Sequence, residues 1–299
     1  MAEPPSAAKI ACALCGGEGF AFQQRDHKGV AVACSCTAQC PACRGQGRLY
    51  ARDERGYEVV RGCACGADPR RLSLLTGLRL PPKFLERTLA GYRAYSPAQQ
   101  RALLRARRFV DEFVPGAAGQ RALLFCGPPG TGKTHLLSGM LRELAAKKGV
   151  RGRYEEFFLL LSDIRDGFSR GLSSREWLEP LRQVDVLAID EIGKGGKNRE
   201  FEQGILDEVL SVRYNAGRPT LLATNYPRPG TVGWEFKADA QSAENLEARV
   251  GPRIYSRLHE MCDLIDVVGD DQREVQHDAR QARDSAADGL ARGPRPARG

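Results

Sequence analysis

The sequence predicts an α/β fold, a parallel five-stranded sheet flanked by helices, with a small cysteine-rich module in front of it. From residue 122 onward, short apolar stretches alternate with longer amphipathic ones, as expected when helices cover a parallel sheet. Before residue 66 the chain instead holds eight of its ten cysteines and few apolar residues. This change in composition predicts two domains that meet near residues 66–80.

Individual elements follow from the periodicity of apolar residues. The strand candidates are Ala122–Cys126, Gly152–Glu156, Val184–Asp190, Pro219–Asn225 and Leu264–Val268. A helical region covers residues 97–114, and a second helix with one buried face is indicated by Phe201, Ile205, Val209 and Val212. We therefore expect a module over 1–68, a linker and lead-in over 69–96, a core domain over 97–268 and a disordered tail over 269–299.

The composition excludes an integral membrane protein. Apolar residues make up 42% of the 299 positions and charged residues 27%, and no uncharged apolar run of about 18 residues is present. The first residues lack the pattern of a secretory signal, so we expect a cytoplasmic protein with no membrane partner. A net charge of +8 permits nucleic-acid binding but indicates it only weakly.

A glycine-rich segment joins the first strand of the sheet to a predicted helix. Residues 127–134 fit the pattern G-x-x-x-x-G-K-[ST], in the strand-to-helix context that this pattern requires. Backbone N–H groups at a helix start bind phosphate, a lysine adds charge for the β and γ phosphates, and a hydroxyl suits Mg²⁺. The alternative is a glycine-rich turn before an ordinary helix. We expect ATP contacts from Gly127, Pro128, Pro129, Gly130, Thr131, Gly132, Lys133, Thr134 and His135.

Two acids, Asp190 and Glu191, end the apolar stretch that starts at Val184. Parallel sheets open their ligand crevice at the carboxyl ends of strands. We expect Asp190 to hold Mg²⁺ together with Thr134, and Glu191 to polarise the attacking water. A solvated acid pair at a strand end is the alternative interpretation. The two motifs together predict ATP hydrolysis.

Later motifs resemble the DnaC, DnaI and IstB family of AAA+ proteins, the bacterial helicase loaders and transposition helper ATPases. The resemblance covers residues 78–268 and rests on Leu80–Phe84, Thr88, Asp190–Gly193, Arg213–Thr220, Thr224–Pro227 and Gly251–Leu258. It implies a catalytic sensor role for Asn225 and an arginine finger, Arg257, that reaches a neighbouring subunit's phosphate. Loaders also carry an arginine at the place of Arg253. That residue either contacts nucleotide in the absence of a helical lid or is solvated on its helix.

The cysteines form a repeat in which each copy has a Cys-x-x-Cys turn followed by Cys-x-Cys. Zn²⁺ binds four such thiolates tetrahedrally, which predicts a small zinc-ribbon-like module with two zinc ions. The turns resemble the zinc region of DnaJ chaperones, although no His-Pro-Asp motif is present. A disulfide framework or pairing across the repeats is the alternative. The expected ligand sets are Cys12, Cys15, Cys34 and Cys36, and Cys40, Cys43, Cys63 and Cys65.

Three functions are consistent with these features. The first is a helicase-loader-like ATPase that forms a homo-oligomer with ATP, binds single-stranded DNA and holds a replicative helicase through its zinc module. The second is a transposition helper ATPase. The third is a zinc-dependent adaptor or chaperone-like scaffold switched by ATP. Trp234 and Phe236 are interpreted as packing residues, with base stacking as the alternative, and His27 as a solvated turn residue.

Overall fold

The computed structural model describes residues 11–25, 28–196, 198–231 and 244–275. His27, Trp234, Phe236 and the tail beyond residue 275 lie outside these ranges, so their interpretation stays a prediction. Among the described residues, no helix combines the length and apolar character that crossing a bilayer demands.

The cysteine repeat in the sequence is also a repeat in structure. In each copy a Cys-x-x-Cys turn leads into an antiparallel hairpin, which ends at the Cys-x-Cys pair. The first hairpin consists of β1 (Phe20–Arg25) and β2 (Lys28–Ala33), and the second of β3 (Arg48–Arg52) and β4 (Glu58–Gly62). Apolar periodicity did not predict these hairpins, because strands held by metal-binding turns need little apolar surface.

The rest of the described chain alternates strands and helices. Before the sheet come α1 (Pro69–Gly77) and α2 (Pro97–Glu112). The sheet and its helices then follow in the order β5 (Ala122–Cys126), α3 (Lys133–Lys148), β6 (Gly152–Glu156), α4 (Phe157–Ser169), α5 (Ser174–Gln183), β7 (Val186–Asp190), α6 (Arg199–Asn215), β8 (Thr220–Thr224), α7 (Leu246–Val250), α8 (Pro252–Met261) and β9 (Cys262–Asp266).

The central sheet has five parallel strands, as the sequence predicts, and their order is β6-β7-β8-β5-β9. The last strand begins at Cys262, two residues before the predicted start. Cys262 is buried and pairs in register with Ala122, so the ladder extends to the end of the preceding helix. This strand order places β8 between β7 and β5, and the carboxyl ends of these three parallel strands lie at one edge of the sheet.

Helix α6 buries the face that the sequence indicates, and it also buries an arginine. Ile205 and Val209 are buried, whereas Phe201 and Val212 are partly buried against the core. Arg213 is fully buried, and its guanidinium donates to the hydroxyl of Thr220 at 2.9 Å and to four backbone carbonyls at 2.7–3.3 Å. These bonds join α6 to the segments that precede β7 and β8.

The first cysteine hairpin packs directly on the core domain. Phe20 is 1% exposed, and the guanidiniums of Arg71 and Arg142 lie 5.1 and 5.3 Å from the centroid of its ring. Arg142 belongs to α3, pairs with Glu18 and donates to the carbonyl of Leu85 at 2.6 Å. The hairpin is therefore continuous with the core around the helix that follows the phosphate loop.

Candidate nucleotide site and cysteine sites

The phosphate loop connects β5 to α3 at the carboxyl edge of the sheet. Gly130 and Gly132 adopt φ values of +75° and +95°, a region that glycine enters without steric cost. A Cβ atom on Gly132 would lie 2.7 Å from the ring of Tyr92. The glycines are thus required both by the backbone turn and by close packing from the segment before α2.

Tyr92 of that segment and Gln99 of α2 hold the loop in place. The Tyr92 hydroxyl and the Gln99 side-chain amide both donate to the carbonyl of Thr131, at 3.0 and 3.1 Å. His135 packs edge-on against Tyr92 and bonds to the carbonyl of Thr88 at 2.8 Å. Sequence reasoning missed Tyr92 and Gln99, because no motif singles out residues that contact the loop only through its backbone.

The ammonium of Lys133 is folded back onto the loop. Its Nζ donates to the carbonyls of Gly127 and Pro128, both at 2.7 Å, and the residue is 6% exposed. Burial disfavours the charged form and lowers the pKa of Lys133 to about 8. An anion bound by the loop would lie close to the Lys133 ammonium, whose hydrogen bonds here go to two neutral carbonyl groups.

Asp190 ends β7, is 2% exposed and accepts three hydrogen bonds. The Thr134 hydroxyl donates to its Oδ2 at 2.6 Å, the Tyr154 phenol to the same oxygen at 2.9 Å, and the Glu191 N–H to Oδ1 at 2.8 Å. Burial and the adjacent Asp190 charge raise the pKa of Tyr154, so its hydroxyl remains a donor. Hydroxyl and carboxylate oxygens side by side are a donor set that Mg²⁺ prefers.

Glu191 has an unusual backbone conformation. Its φ is +57°, in the left-handed region that side chains other than glycine seldom adopt. The carboxylate pairs with the Lys194 ammonium at 2.5 Å, and the residue is half-buried. Such strain is found where the surrounding structure fixes a functional side chain.

Most of the residues predicted at the phosphate edge line one cavity of about 290 Å³, whereas Gly127, Pro128 and Thr131 do not. Those that line it are Pro129, Gly130, Gly132, Lys133, Thr134, His135, Asp190, Glu191 and Asn225. Further lining residues that sequence reasoning missed are Lys83, Phe84, Arg87, Gln272 and Arg273. Arg273 and Gln272 come from the segment after β9, which the sequence assigns to the tail.

That segment lies beside the loop. The Gln272 N–H donates to the carbonyl of Gly130 at 3.3 Å, and a Cβ on Gly130 would fall within 2.0 Å of the Asp271 carboxyl group. Residues 269–275 therefore form part of the cavity rim.

A larger cavity of about 390 Å³ lies at the opposite, amino edge of the strands. Its charged groups are already paired: Arg105 and Arg121 with Asp263, and Arg108 with Glu112. The carboxyl edge, where the motifs converge, is the better candidate in spite of its smaller volume.

Arg253 and Arg257 do not line this chain's phosphate cavity. Both lie on α8 and pair with Asp207 of α6, Arg257 at 2.7 Å and Arg253 at 3.3 Å. The Arg253 side chain is 77% exposed, and that of Arg257 is 23% exposed. Their predicted roles toward nucleotide therefore stay predictions.

The eight cysteines of the module form two groups, and each group holds the four sulfurs of one repeat. Within each group, the four sulfurs lie within 4.8 Å of one another. Neighbouring sulfurs are 3.8 and 3.6 Å apart in the first group and 3.7 and 3.5 Å in the second. A tetrahedron with metal–sulfur bonds of about 2.3 Å has edges of about 3.8 Å. The spacing therefore fits zinc, and the structure favours pairing within each repeat.

Glycines shape both cysteine turns. The N–H of Gly19 donates to the Cys15 sulfur at 3.4 Å, and that of Gly47 to the Cys43 sulfur at 3.3 Å. Gly19 has a φ of +77°, and a Cβ there would lie 1.5 Å from the carbonyl of Cys65. The two repeats are thus packed against each other at this glycine.

The sheet order, the phosphate loop after β5 and the acids at the end of β7 define an AAA+ protein of the P-loop class. The chain belongs to the family of IstB-like ATP binding proteins, whose profile matches residues 83–279. The family resemblance noted in the sequence is therefore confirmed.

Individual relatives agree with this assignment. The chain is 34% identical over 190 residues to the replicative helicase loader DnaC of Escherichia coli strain K12, covering 60% of this chain and 73% of that protein. It is 27% identical over 248 residues to the phage-like element PBSX protein XkdC of Bacillus subtilis strain 168, covering 80% and 85%. A crystal structure of the DnaC helicase loader is similar with a TM-score of 0.52 and 28% identity, over 62% of this chain and 98% of that one.

Proposed function

We propose that the protein hydrolyses ATP as a helicase-loader-like ATPase. The observation that carries this proposal is the convergence of Lys133, Thr134, Asp190, Glu191 and Asn225 on one cavity at the carboxyl edge of the sheet. A site of this kind works by positioning phosphates and stabilising charge.

Each residue of the cavity has a distinct proposed role. The loop N–H groups and Lys133 bind the phosphates, with Lys133 exchanging its carbonyl contacts for phosphate oxygens. Thr134 and Asp190 would hold Mg²⁺, which supplies charge neutralisation at the β and γ phosphates. Glu191 accepts a proton from the attacking water, and Asn225 orients the γ phosphate. Strain at the Glu191 backbone is consistent with a carboxylate fixed in advance toward the cavity.

Arg257 completes the site of a neighbouring subunit in this proposal. It lies away from the phosphate cavity of its own chain, on a helix that presents two arginines together. A guanidinium supplied from another subunit stabilises transition-state charge in phosphoryl transfer. ATP would therefore be hydrolysed at the interface between two subunits of a homo-oligomer. This homo-oligomer would bind single-stranded DNA.

The cysteine groups are proposed to bind two structural zinc ions. So little apolar surface surrounds the second group that its hairpin depends on the metal for folding. With the DnaC relative named a replicative helicase loader, we propose that the module holds a replicative helicase.

The enzymatic part is tested with Glu191→Gln and Lys133→Ala. Glu191→Gln should bind ATP and lose hydrolysis, whereas Lys133→Ala should lose binding. Asp163→Asn, which neutralises an exposed acid on α4 outside the cavity lining, serves as the charge-matched control. Phosphate release by Glu191→Gln equal to that of the wild type would refute hydrolysis at this site.

A transposition helper ATPase is the second candidate, because the matched family is that of IstB-like ATP binding proteins and the resemblance to IstB noted in the sequence implies this role. Affinity purification with ATP and single-stranded DNA, from cells that express a replicative helicase and a transposase, separates the two. Capture of the helicase supports the loader, and capture of the transposase alone supports the helper.

A further inference from the structure

One carboxylate serves both arginines of α8. Oδ1 of Asp207 accepts a hydrogen bond from Nη1 of Arg257 at 2.7 Å, and Oδ2 lies 3.3 Å from Nη2 of Arg253. The hydroxyl of Ser211 also contacts Nη1 of Arg257. Asp207 and Ser211 are one helical turn apart on α6, and the two arginines are one turn apart on α8, so two matched faces meet.

This contact restrains the Arg257 side chain but leaves part of its guanidinium available to bind another group. A guanidinium carries five donors, of which only those on Nη1 are used here. Within the described part of the chain, Nε and Nη2 of Arg257 donate to no protein group. These two nitrogens form one edge of the guanidinium, the arrangement that binds two oxygens of a phosphate at once.

The restraint matters because arginine is long and flexible. Asp207 and Arg257 have side chains that are 24% and 23% exposed, so their pairing is partly shielded from solvent. An arginine fixed before it meets phosphate does not have to be ordered during the encounter.

We propose that Asp207 is the positioning residue for Arg257 and orients its free edge toward the ATP of a neighbouring subunit. The inference depends on the proposed function, in which Arg257 acts between subunits. Asp207 touches no nucleotide itself and acts through the guanidinium that it holds.

Mixed subunits test the proposal in the full-length protein. Arg257→Ala subunits keep an intact ATP site but lack the arginine. Lys133→Ala subunits keep the arginine but lack ATP binding. Mixing the two should restore hydrolysis, and adding Asp207→Asn to the Lys133→Ala subunit should reduce the restored kcat at least about tenfold, since misplacement by an ångström costs about 100-fold. The KM for ATP should not change.

Glu208→Gln in the Lys133→Ala subunit is the matched control. It removes the same charge one residue away, on a half-buried side chain with no hydrogen bond or ion pair in the described ranges. It should restore as much hydrolysis as Lys133→Ala alone. Asp207→Glu should recover part of the activity, and thermal unfolding of each variant separates positioning from loss of fold.

The outcomes distinguish the action of Arg257 between subunits from the positioning role of Asp207. If Lys133→Ala subunits fail to activate Arg257→Ala subunits, action between subunits is wrong, and the proposed function fails with it. If they activate, but Asp207→Asn activates equally, only the positioning role is wrong. Higher activity with Asp207→Asn would also overturn it, because Asp207 would then restrain the arginine from use.

Discussion

The phenol of Tyr154 and the hydroxyl of Thr134 donate to the same oxygen of Asp190, at 2.9 and 2.6 Å. Strands β6 and β7 are neighbours, with Tyr154 in register with Ala188, so the phenol reaches along β7 to its last residue. The carboxylate of Asp190 is therefore oriented from two sides, by the phosphate loop helix and by the adjacent strand.

Tyr154→Phe should raise the Mg²⁺ concentration needed for half-maximal ATP hydrolysis while leaving the fold intact. The ring stays in place, but Asp190 loses an orienting donor, and such partners of metal ligands are worth about tenfold or more in metal affinity. Titration of Mg²⁺ against phosphate release measures the change. Tyr57→Phe, on a residue 69% exposed, is the control. Equal Mg²⁺ dependence in both variants would contradict a role for Tyr154.

ATP affinity should fall as pH rises through 8. Burial lowers the pKa of Lys133 to about 8, so the free protein loses this charge between pH 7 and 9. Bound phosphates favour the charged form, so binding takes up a proton at high pH. We expect affinity to drop by about tenfold from pH 7 to 9.

Calorimetry in buffers with different ionisation enthalpies checks both the affinity and the proton uptake. Lys133→Arg keeps its charge throughout this range and should show a flat profile. A wild-type affinity that is constant from pH 7 to 9 would show that the lysine stays charged in the free protein.

Arg213→Met should destabilise the core domain by about 3 kcal/mol, because the buried carbonyls and the Thr220 hydroxyl that Arg213 now satisfies would lose their donor. Urea denaturation of the two proteins measures the difference in the free energy of unfolding. Arg108→Met, on an exposed arginine paired with Glu112, should change stability by no more than about 0.5 kcal/mol. An equally small loss of stability in Arg213→Met would contradict the prediction, because it would mean that losing the donor to these carbonyls costs no free energy of unfolding.

The two cysteine groups should differ in their effect on the core domain. Elemental analysis should give two zinc ions for the wild type and one each for Cys15→Ser and Cys43→Ser. Only the first group supports the hairpin that places Phe20 in the main core, whereas the second has a separate small cluster. Cys15→Ser should therefore cost the core about 3 kcal/mol, similar to loss of a buried Phe.

Calorimetric unfolding of both cysteine variants is the measurement. An equal loss of stability in the two variants would contradict the prediction that the first cysteine group supports the core domain more than the second does. A wild-type protein with one zinc ion or none would contradict the two ligand sets.

Much of the fold was predictable because its signals are local. The strand β5 and the loop after it were predicted at the observed residues, since an apolar run followed by a fixed glycine spacing leaves few alternatives. The position of Asp190 followed from the rule that parallel strands open their ligand crevice at their carboxyl ends, and that of Asn225 followed from the family resemblance. Tyr154 and Gln99 could not be found this way, because their contacts depend on which strands and helices become neighbours.

Arg257 illustrates a different limit. Its motif indicated the residue type and the helix, but not the acid that holds it 50 positions earlier in the chain. The packing of Phe20 against Arg71 and Arg142 could not be predicted either, because a cysteine-rich composition predicts a separate module but not where that module docks.

The position of Asp271 and Gln272 beside Gly130 bears on how shortened versions of this protein behave. A truncation that stops at the end of β9, where the last sheet strand is complete, would delete one wall of the entrance through which nucleotide reaches the loop. Such a fragment would bind ATP through a wider opening than the full chain. Affinities measured on it would describe the fragment and not the intact molecule.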